Sequence, residues 1–231
     1  MAGSAESFVR NNSRIVFKGR KDILSNYYPC PIYYRERWFN CAEQALQFEK
    51  ALHHNLEDLA ENILRLKSGY EQTLCSKFIE ENDDWKQICV YCMKRILLAK
   101  LDCVSEYKQL LLNSKGLIVN ATPTERFWSS GLSKLDAFQQ KQVTWPGQNI
   151  LGKLHMDIRE ELQTVRKTIA SHHNHMHVAC RSNRAIEAIE VDLTNVLVTV
   201  YAKNLDSAYA ITDGFSIPRK VVRIVNGLDC T

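Results

Sequence analysis

The chain has 231 residues, of which 45% are apolar and 24% charged, with a formal net charge of +4. That length is enough for a core and a pocket, the composition is that of an ordinary globular chain, and so mild a charge does not by itself announce a nucleic-acid binder, while the local basic pieces "FKGRKD" (17–22) and "MKRILLAK" (93–100) read either as phosphate contacts or as solvated surface. The longest apolar runs, "ICVYCM" and "VLVTVYA", fall far short of the roughly 20 residues of a membrane span, and residues 1–13 lack the basic-then-apolar order of an export signal, so an intracellular protein is expected.

Residues 1–13 read as a tail. "RIVF" (14–17) and "PIYYRERWF" (31–39) are β-branched and aromatic enough for short strands, separated by the turn-rich "LSNYYPCP". The stretch "WFNCAEQALQFEKA" (38–51) has helical spacing. At about 100° per residue, Glu43, Gln47 and Lys50 fall in one narrow sector, while Phe39, Cys41, Ala42, Ala45, Leu46, Phe48 and Ala51 cover most of the rest. A stripe of acid, amide and amine on a helix apolar elsewhere is either a solvated face or the lining of a cleft into which a centrally placed helix presents its remaining polar groups. In a cleft the carboxylate stabilises a developing cation or activates water, and the amine binds an anion.

Further along, Asn55 is expected to cap "LEDLAENILRLK", whose Leu59, Ile63 and Leu66 recur on one face. "DDWKQICVYCMKRILLAKL" repeats the pattern through Ile88, Cys92, Ile96 and Leu97, with Asp83 or Asp84 near its positive end. "CVYC" has the spacing of a metal or redox pair, yet it lies inside a helical pattern with no second pair at finger-like distance, so buried thiols are the plainer reading. The other cysteines are irregularly placed and suit reduced thiols rather than a disulfide framework.

Ser105 starts a short helix that stops at Gly116, followed by the strand-like "LIVNAT" and a long polar loop from Pro123 to Asn149 that contains Trp128 and Trp145. Loops of that length are more often functional than idle, and Trp85, Trp128 and Trp145 each have a core-packing and a base-stacking reading. "NILGKLHMDIREELQTVRKTIA" is a strong helix through Leu151, Leu154, Ile158, Leu162 and Val165. "SHHNHMH" (171–177) then reads as a polar linker, with His173, His175 and His177 at alternate positions where an extended segment presents them together. Beyond it, "AIEVDLTNVLVTVYA", "SAYAIT" and "RKVVRIV" have the pattern of strands. The expectation is an α+β protein: a predominantly helical domain with short strands over 14–168, a linker over 169–178, and a small β-rich segment over 179–231.

Five fragments in series, "FKGRKDILSNYYPCPI", "FNCAEQALQFEKA", Trp85 ahead of a basic-apolar helix, "IVNATPTERFW" and "WPGQNILGKLHMDIREEL", resemble the NADAR family, the YbiA-like N-glycosidases, from about Ile15 to Leu162. The resemblance implies an α+β enzyme that hydrolyses an N-glycosidic bond to ribose with neither metal nor organic cofactor. It implies two substrate classes, ADP-ribose attached to guanine in nucleic acid, which is favoured, and the ribosylamino-pyrimidine intermediates of riboflavin synthesis. A binding module that recognises such ligands without turnover is the alternative. By the same resemblance the family's helical glutamate falls on Glu43, its loop asparagine on Asn26, its acidic residue three before a tryptophan on Glu125, and its tryptophans on Trp85 and Trp128, while Asn149 and Gly152 match its closing N-x-L-G.

Glu43 and Glu125 are thus the catalytic candidates, since cleavage passes through an oxocarbenium-like state that carboxylates stabilise and through which they direct water. Asn26, Tyr27, Gln47, Lys50, Trp85, Trp128, Asn149, Lys18 and Arg20 are the substrate-binding candidates, with the cations assigned to phosphates and the indoles to base or sugar. The chain departs from the family at Glu125, where aspartate is usual, and at "WSSG" (128–131), where W-G-x-G is usual and Ser129 stands in place of a glycine. The family's Gly-Arg pair ahead of the tryptophan is not recognisable in "GYEQTLCSKFIEENDDW", where Lys77 is the nearest substitute.

Overall fold

The computed structural model describes residues 9–11, 14–80, 82–139, 145–182, 186–202 and 205–226, and the chain divides into two compact units, residues 1–158 and 159–231. In the first unit β1 (Val9–Asn11) pairs antiparallel with β2 (Arg14–Phe17). The predicted single strand over 31–39 is instead a hairpin of β3 (Ile32–Tyr34) and β4 (Arg37–Phe39). Its two turn residues, Arg35 and Glu36, have φ of 49° and 60°, the left-handed pair of a tight hairpin turn whose twist matches the flanking strands.

The central helix α1 (Ala42–His53) is buried at every residue from Ala42 to Ala51, and it packs against α2 (Glu57–Arg65), α3 (Gly69–Ser76) and α4 (Asp83–Cys103). Asn55 does not cap α2. It closes α1 instead, at φ 57°, with its N–H on the Leu52 carbonyl and the Leu56 N–H on the Ala51 carbonyl, the bonding of a left-handed helix stop. Nor is the segment before Trp85 featureless. It holds α3, started by a capping box in which Ser68 accepts from the Glu71 N–H and the Glu71 carboxylate from the Ser68 N–H. Asn82 caps α4 by accepting from the Trp85 N–H at 2.8 Å, which leaves Asp83 and Asp84 in the first turn.

After α5 (Ser105–Asn113), β5 (Leu117–Asn120) joins the sheet in the order β1-β2-β5, parallel to β2 with Ile15 opposite Ile118. Val16, Val119, Ala121 and Ala137 form a core cluster with α6 (Lys134–Gln139), and Trp145 packs against it, so this indole belongs to the core. The last long helix, α7, runs from Ile150 to Ser182 without a break. Residues 171–177, expected as an extended linker, are therefore helical, and His173 and His175, two positions apart, point to different sides of the helix where an extended segment would present them together.

In the second unit β6 (Ile186–Asp192), β7 (Leu197–Ala202) and β8 (Val222–Asn226) form a sheet in that order, β6 antiparallel and β8 parallel to β7. Parallel neighbours need a crossover, and "SAYAIT", expected as a strand, supplies it as part of α8 (Leu205–Gly214). No helix among the described residues is long and apolar enough to cross a membrane.

Candidate active site

Because β2 and β5 are parallel, the segments that follow them leave the same end of the sheet, and between them stands the N-terminal half of α1. There a cavity of about 450 Å³ is lined by Lys18, Asn26 and Tyr27 after β2, by Glu43 and Gln47 of α1, by Thr73 of α3, and by Glu125 and Trp128 after β5. The polar stripe of α1 therefore faces an enclosed space and not bulk water.

Glu43 is only 3% exposed. Its Oε1 accepts from Gln47 Nε2 at 2.7 Å and from the Thr73 hydroxyl at 2.9 Å, and its Oε2 accepts from Asn26 Nδ2. Gln47, one turn on, is itself held by the Ser76 hydroxyl. Asn26 is fixed from both ends, since its backbone carbonyl accepts from the Glu43 N–H at 2.8 Å and so supplies the cap that Cys41 does not give α1. Burial raises the Glu43 pKa above the ordinary carboxylate value, and the four surrounding donors, Gln47, Thr73, Tyr27 and Asn26, only partly oppose it. The Tyr27 phenol, which meets the Thr73 hydroxyl at 3.2 Å, is pushed up by burial and by the Glu43 charge, so it stays protonated.

Glu125 stands on the opposite wall, where its Oε1 accepts from the Phe127 N–H at 2.8 Å. It lines a second cavity of about 540 Å³ together with Lys50, Trp85, Phe127 and Trp128. A third space, of about 490 Å³, shares Tyr27 and Thr73 with the first and contains Arg20 and Lys67. The three cations expected to hold phosphate are thus distributed, with Lys18 in the central cavity, Lys50 in the aromatic one and Arg20 in the third.

Asn149 lines none of these spaces. It is fully buried at φ 52°, donates Nδ2 to the Ile118 carbonyl at 2.9 Å and accepts the Asn120 N–H at 2.9 Å, so it bolts the start of α7 to β5. Gly152 permits that approach, since a Cβ there would lie 2.2 Å from the Ile118 oxygen. Ser129 has no left-handed backbone. Its buried hydroxyl donates to the Asn120 carbonyl at 2.8 Å and receives the Thr122 N–H at 2.7 Å, so it ties down the turn that presents Glu125. Lys77 is exposed at the end of α3.

Sequence reasoning missed the support beneath the Asn26 loop. Lys100, from the basic stretch of α4, is fully buried. It donates to the Ile23 carbonyl at 2.6 Å and the Ser25 carbonyl at 3.1 Å, with the Tyr28 and Tyr107 rings beside its ammonium. His155 of α7 meets the Leu24 carbonyl at 2.8 Å through Nε2 and the Tyr107 hydroxyl at 2.8 Å through Nδ1. Burial lowers the Lys100 pKa to about 8 and, helped by the Lys100 charge, the His155 pKa to about 3, which leaves the imidazole neutral with Nε2 as the donor to Leu24. Thr73 was missed too, although the Ser68-to-Glu71 spacing marks the helix that carries it.

Among the described residues no three His, Cys, Asp or Glu side chains gather closely enough to hold a metal ion. Cys89 and Cys92 are separate buried thiols on α4. His177 has a side chain outside the described set, as do residues 140–144 of the long loop.

Residues 11–163 match the sequence model of the NADAR domain family. The chain is 30% identical over 131 residues to Protein irg-1 of Caenorhabditis elegans, which covers 54% of this chain and 62% of that protein. It is 43% identical over 56 residues to N-glycosidase R617 of Acanthamoeba polyphaga mimivirus, covering 24% of this chain and 33% of that protein. The chain thus spans less than two thirds of the length of either relative. The solution structure of the E. coli protein YbiA superposes on 69% of this chain and 90% of its own length, with a TM-score of 0.54 at 23% identity, which shows a shared fold.

Proposed function

The chain belongs to the NADAR family, and on that premise we propose that it is an N-glycosidase that hydrolyses the bond between ribose and a base nitrogen, with ADP-ribosylated guanosine the favoured substrate. The observation that carries this reading is the buried Glu43 carboxylate, fixed by Asn26, Gln47 and Thr73 in a cavity whose other wall holds Glu125. The name of the mimivirus relative agrees with the reaction class.

As the bond between the anomeric carbon and nitrogen breaks, its electron pair goes to nitrogen and positive charge builds on the sugar. A carboxylate held rigidly in a water-poor cavity stabilises that charge far better than the same group in water, because its surroundings need no reorganisation. Water then adds to the anomeric carbon. One of its protons passes to a carboxylate and the departing nitrogen gains a proton, so the products are a free ribose hydroxyl and a free base N–H. Glu43 is assigned the cation or the water.

A compact ribosylamino-pyrimidine needs little beyond the central cavity. The aromatic space on one side and the cationic space on the other favour a longer substrate, with a base flanking the ribose and a phosphate-bearing arm beyond it. The test is incubation of the purified protein with ADP-ribosylated guanosine and with a ribosylamino-pyrimidine side by side, following free ADP-ribose and free base. Release from the first is expected. Binding without release from either would make the protein a recognition module and refute the enzymatic reading.

A further inference from the structure

α3 is built inside out. It buries Gln72 and Ser76, while Tyr70 and Leu74 on its other side, and Phe78 just past its end, are 71%, 42% and 92% exposed. A helix that turns polar side chains inward needs polar partners there. Gln72 fastens α3 to the residues flanking α1 and α2, donating to the Leu66 carbonyl at 2.8 Å and to the Asn40 side chain at 3.2 Å. Thr73 and Ser76 meet α1 itself, where the Thr73 hydroxyl donates to Glu43 Oε1 at 2.9 Å and the Ser76 hydroxyl donates to Gln47 Oε1. The Gly69 carbonyl lies 2.8 Å from the same Thr73 hydroxyl, but as the first carbonyl of α3 it already takes a helix N–H, so the single hydrogen goes to the charged acceptor. The other acceptors near Ser76, the Gln72 and Thr73 carbonyls, are farther off, at 3.3 and 3.2 Å.

We infer that Thr73 and Ser76 are a pair of positioning residues that lock Oε1 of Glu43, so that Oε2 is the oxygen that meets the sugar or the water. The Gln47 amide has two unlike ends. By donating to its oxygen, Ser76 turns the Nε2 end toward Glu43, 2.7 Å from Oε1. With Gln47 and Thr73 both donating, the two lone pairs of Oε1 are filled, whereas the Asn26 amide fills one of the two on Oε2. Without Ser76 the amide is free to reverse and set oxygen against oxygen, and without Thr73 one pair of Oε1 is unmatched in a buried site. Either loss disfavours the ionised carboxylate through Glu43 alone. The other titratable groups around Glu43 are Lys18 and Glu125 in the same cavity, and Tyr27 and Cys41 beside it. Burial raises the last two, so they stay protonated at neutral pH. The consequence for rate rests on the N-glycosidase reading, whereas the bonding of Glu43 does not.

Thr73→Val, Thr73→Ser and Ser76→Ala in the full chain, each shown folded by circular dichroism, test this. Release of ADP-ribose from ADP-ribosylated guanosine gives kcat and KM against pH. The infrared carbonyl band of the protonated Glu43 carboxyl, identified by its absence in Glu43→Gln, gives the titration midpoint of that group without turnover. Thr73→Val and Ser76→Ala are expected to lower kcat about tenfold or more with KM within about threefold, and to move both the acid limb of kcat and the band's midpoint upward by about 0.5 or more in pH, while Thr73→Ser keeps the parent values. A limb or a midpoint that stays in place in folded Thr73→Val or Ser76→Ala would overturn the inference, because a role in packing alone changes Tm and not the midpoint. Where Thr73→Val does not fold, Thr73→Ala, which only removes atoms, is read in its place. A moved midpoint in a protein that releases no ADP-ribose would defeat only the N-glycosidase reading, and release with an unmoved midpoint only this one.

Discussion

Glu43→Gln separates chemistry from stability. The substitution keeps shape and volume. A glutamine oxygen still accepts from Gln47 and Thr73, and a half turn of the Asn26 amide presents an oxygen to the new amide nitrogen. The loss of charge-assisted bonding is worth roughly 1–3 kcal/mol, and it is offset by no longer holding a carboxylate out of water. At about 2–4 °C of Tm per kcal/mol for a chain of this size, the variant should melt within about 5 °C of the parent at neutral pH. Activity, by contrast, should fall by about 10²–10⁴, or roughly 3–5.5 kcal/mol of barrier.

The pH dependence sharpens the test. Burial raises the native Glu43 pKa above the unfolded value of 4.5, so between the two values the native state holds the proton that the unfolded chain has lost. Stability from this residue therefore falls as pH rises above 4.5, and the penalty is complete once pH passes the native pKa. Glutamine has no such dependence, so the variant's Tm should gain on the parent's as pH rises. ADP-ribose release and paired thermal melts from acid to neutral pH measure both effects. Full activity in the variant, or a Tm difference that does not move with pH, would refute the reasoning.

Asn149→Ala leaves the Ile118 carbonyl and the Asn120 N–H without partners and puts alanine at φ 52°, so unfolding in urea should show a loss of about 2–6 kcal/mol. Gly152→Ala drives a methyl to 2.2 Å from the Ile118 oxygen and should cost about 1–3 kcal/mol or more in the same assay, whereas Gly214→Ala, with nothing within 4 Å of the added carbon, should be neutral. Lys100 titrates at about 8 in the fold against 10.5 unfolded, so the unfolded chain holds the extra proton across that window and stability should rise with pH from 8 to 10.5. Lys100→Met should lack that rise and, by releasing the Ile23 and Ser25 carbonyls that flank Asn26, lower activity at least about tenfold.

The elements legible in the sequence are those whose burial is written as spacing. Apolar periodicity marks α1, α4 and α7, and the acid-amide pair Glu43 and Gln47, one turn apart, already points to a common face. Where local pattern and tertiary demand diverge, the pattern misleads. "SAYAIT" alternates like a strand, but β7 and β8 are parallel and the chain between them must cross over, which makes it a helix. α3 escapes periodicity because it is short and buries only Gln72 and Ser76. "SHHNHMH" is polar enough for a linker, yet nothing in it breaks a helix already under way, and α7 continues through it.

The illegible part of the site is the part made by distant pairs. Thr73 reaches Glu43 across 30 residues, Lys100 reaches Ile23 across 77, and His155 reaches Leu24 across 131. In "MKRILLAK" an amine that meets two backbone carbonyls looks the same as one that meets water. These pairs also explain why the cavity is set before any substrate arrives. The loop bearing Asn26 is held by an ammonium on two of its carbonyls and by a neutral imidazole on a third, and Asn26 in turn holds Glu43. None of those bonds involves a group that the reaction must move. A carboxylate positioned through such a chain needs no rearrangement when positive charge develops on the sugar, which is the condition under which a single buried charge contributes most to rate.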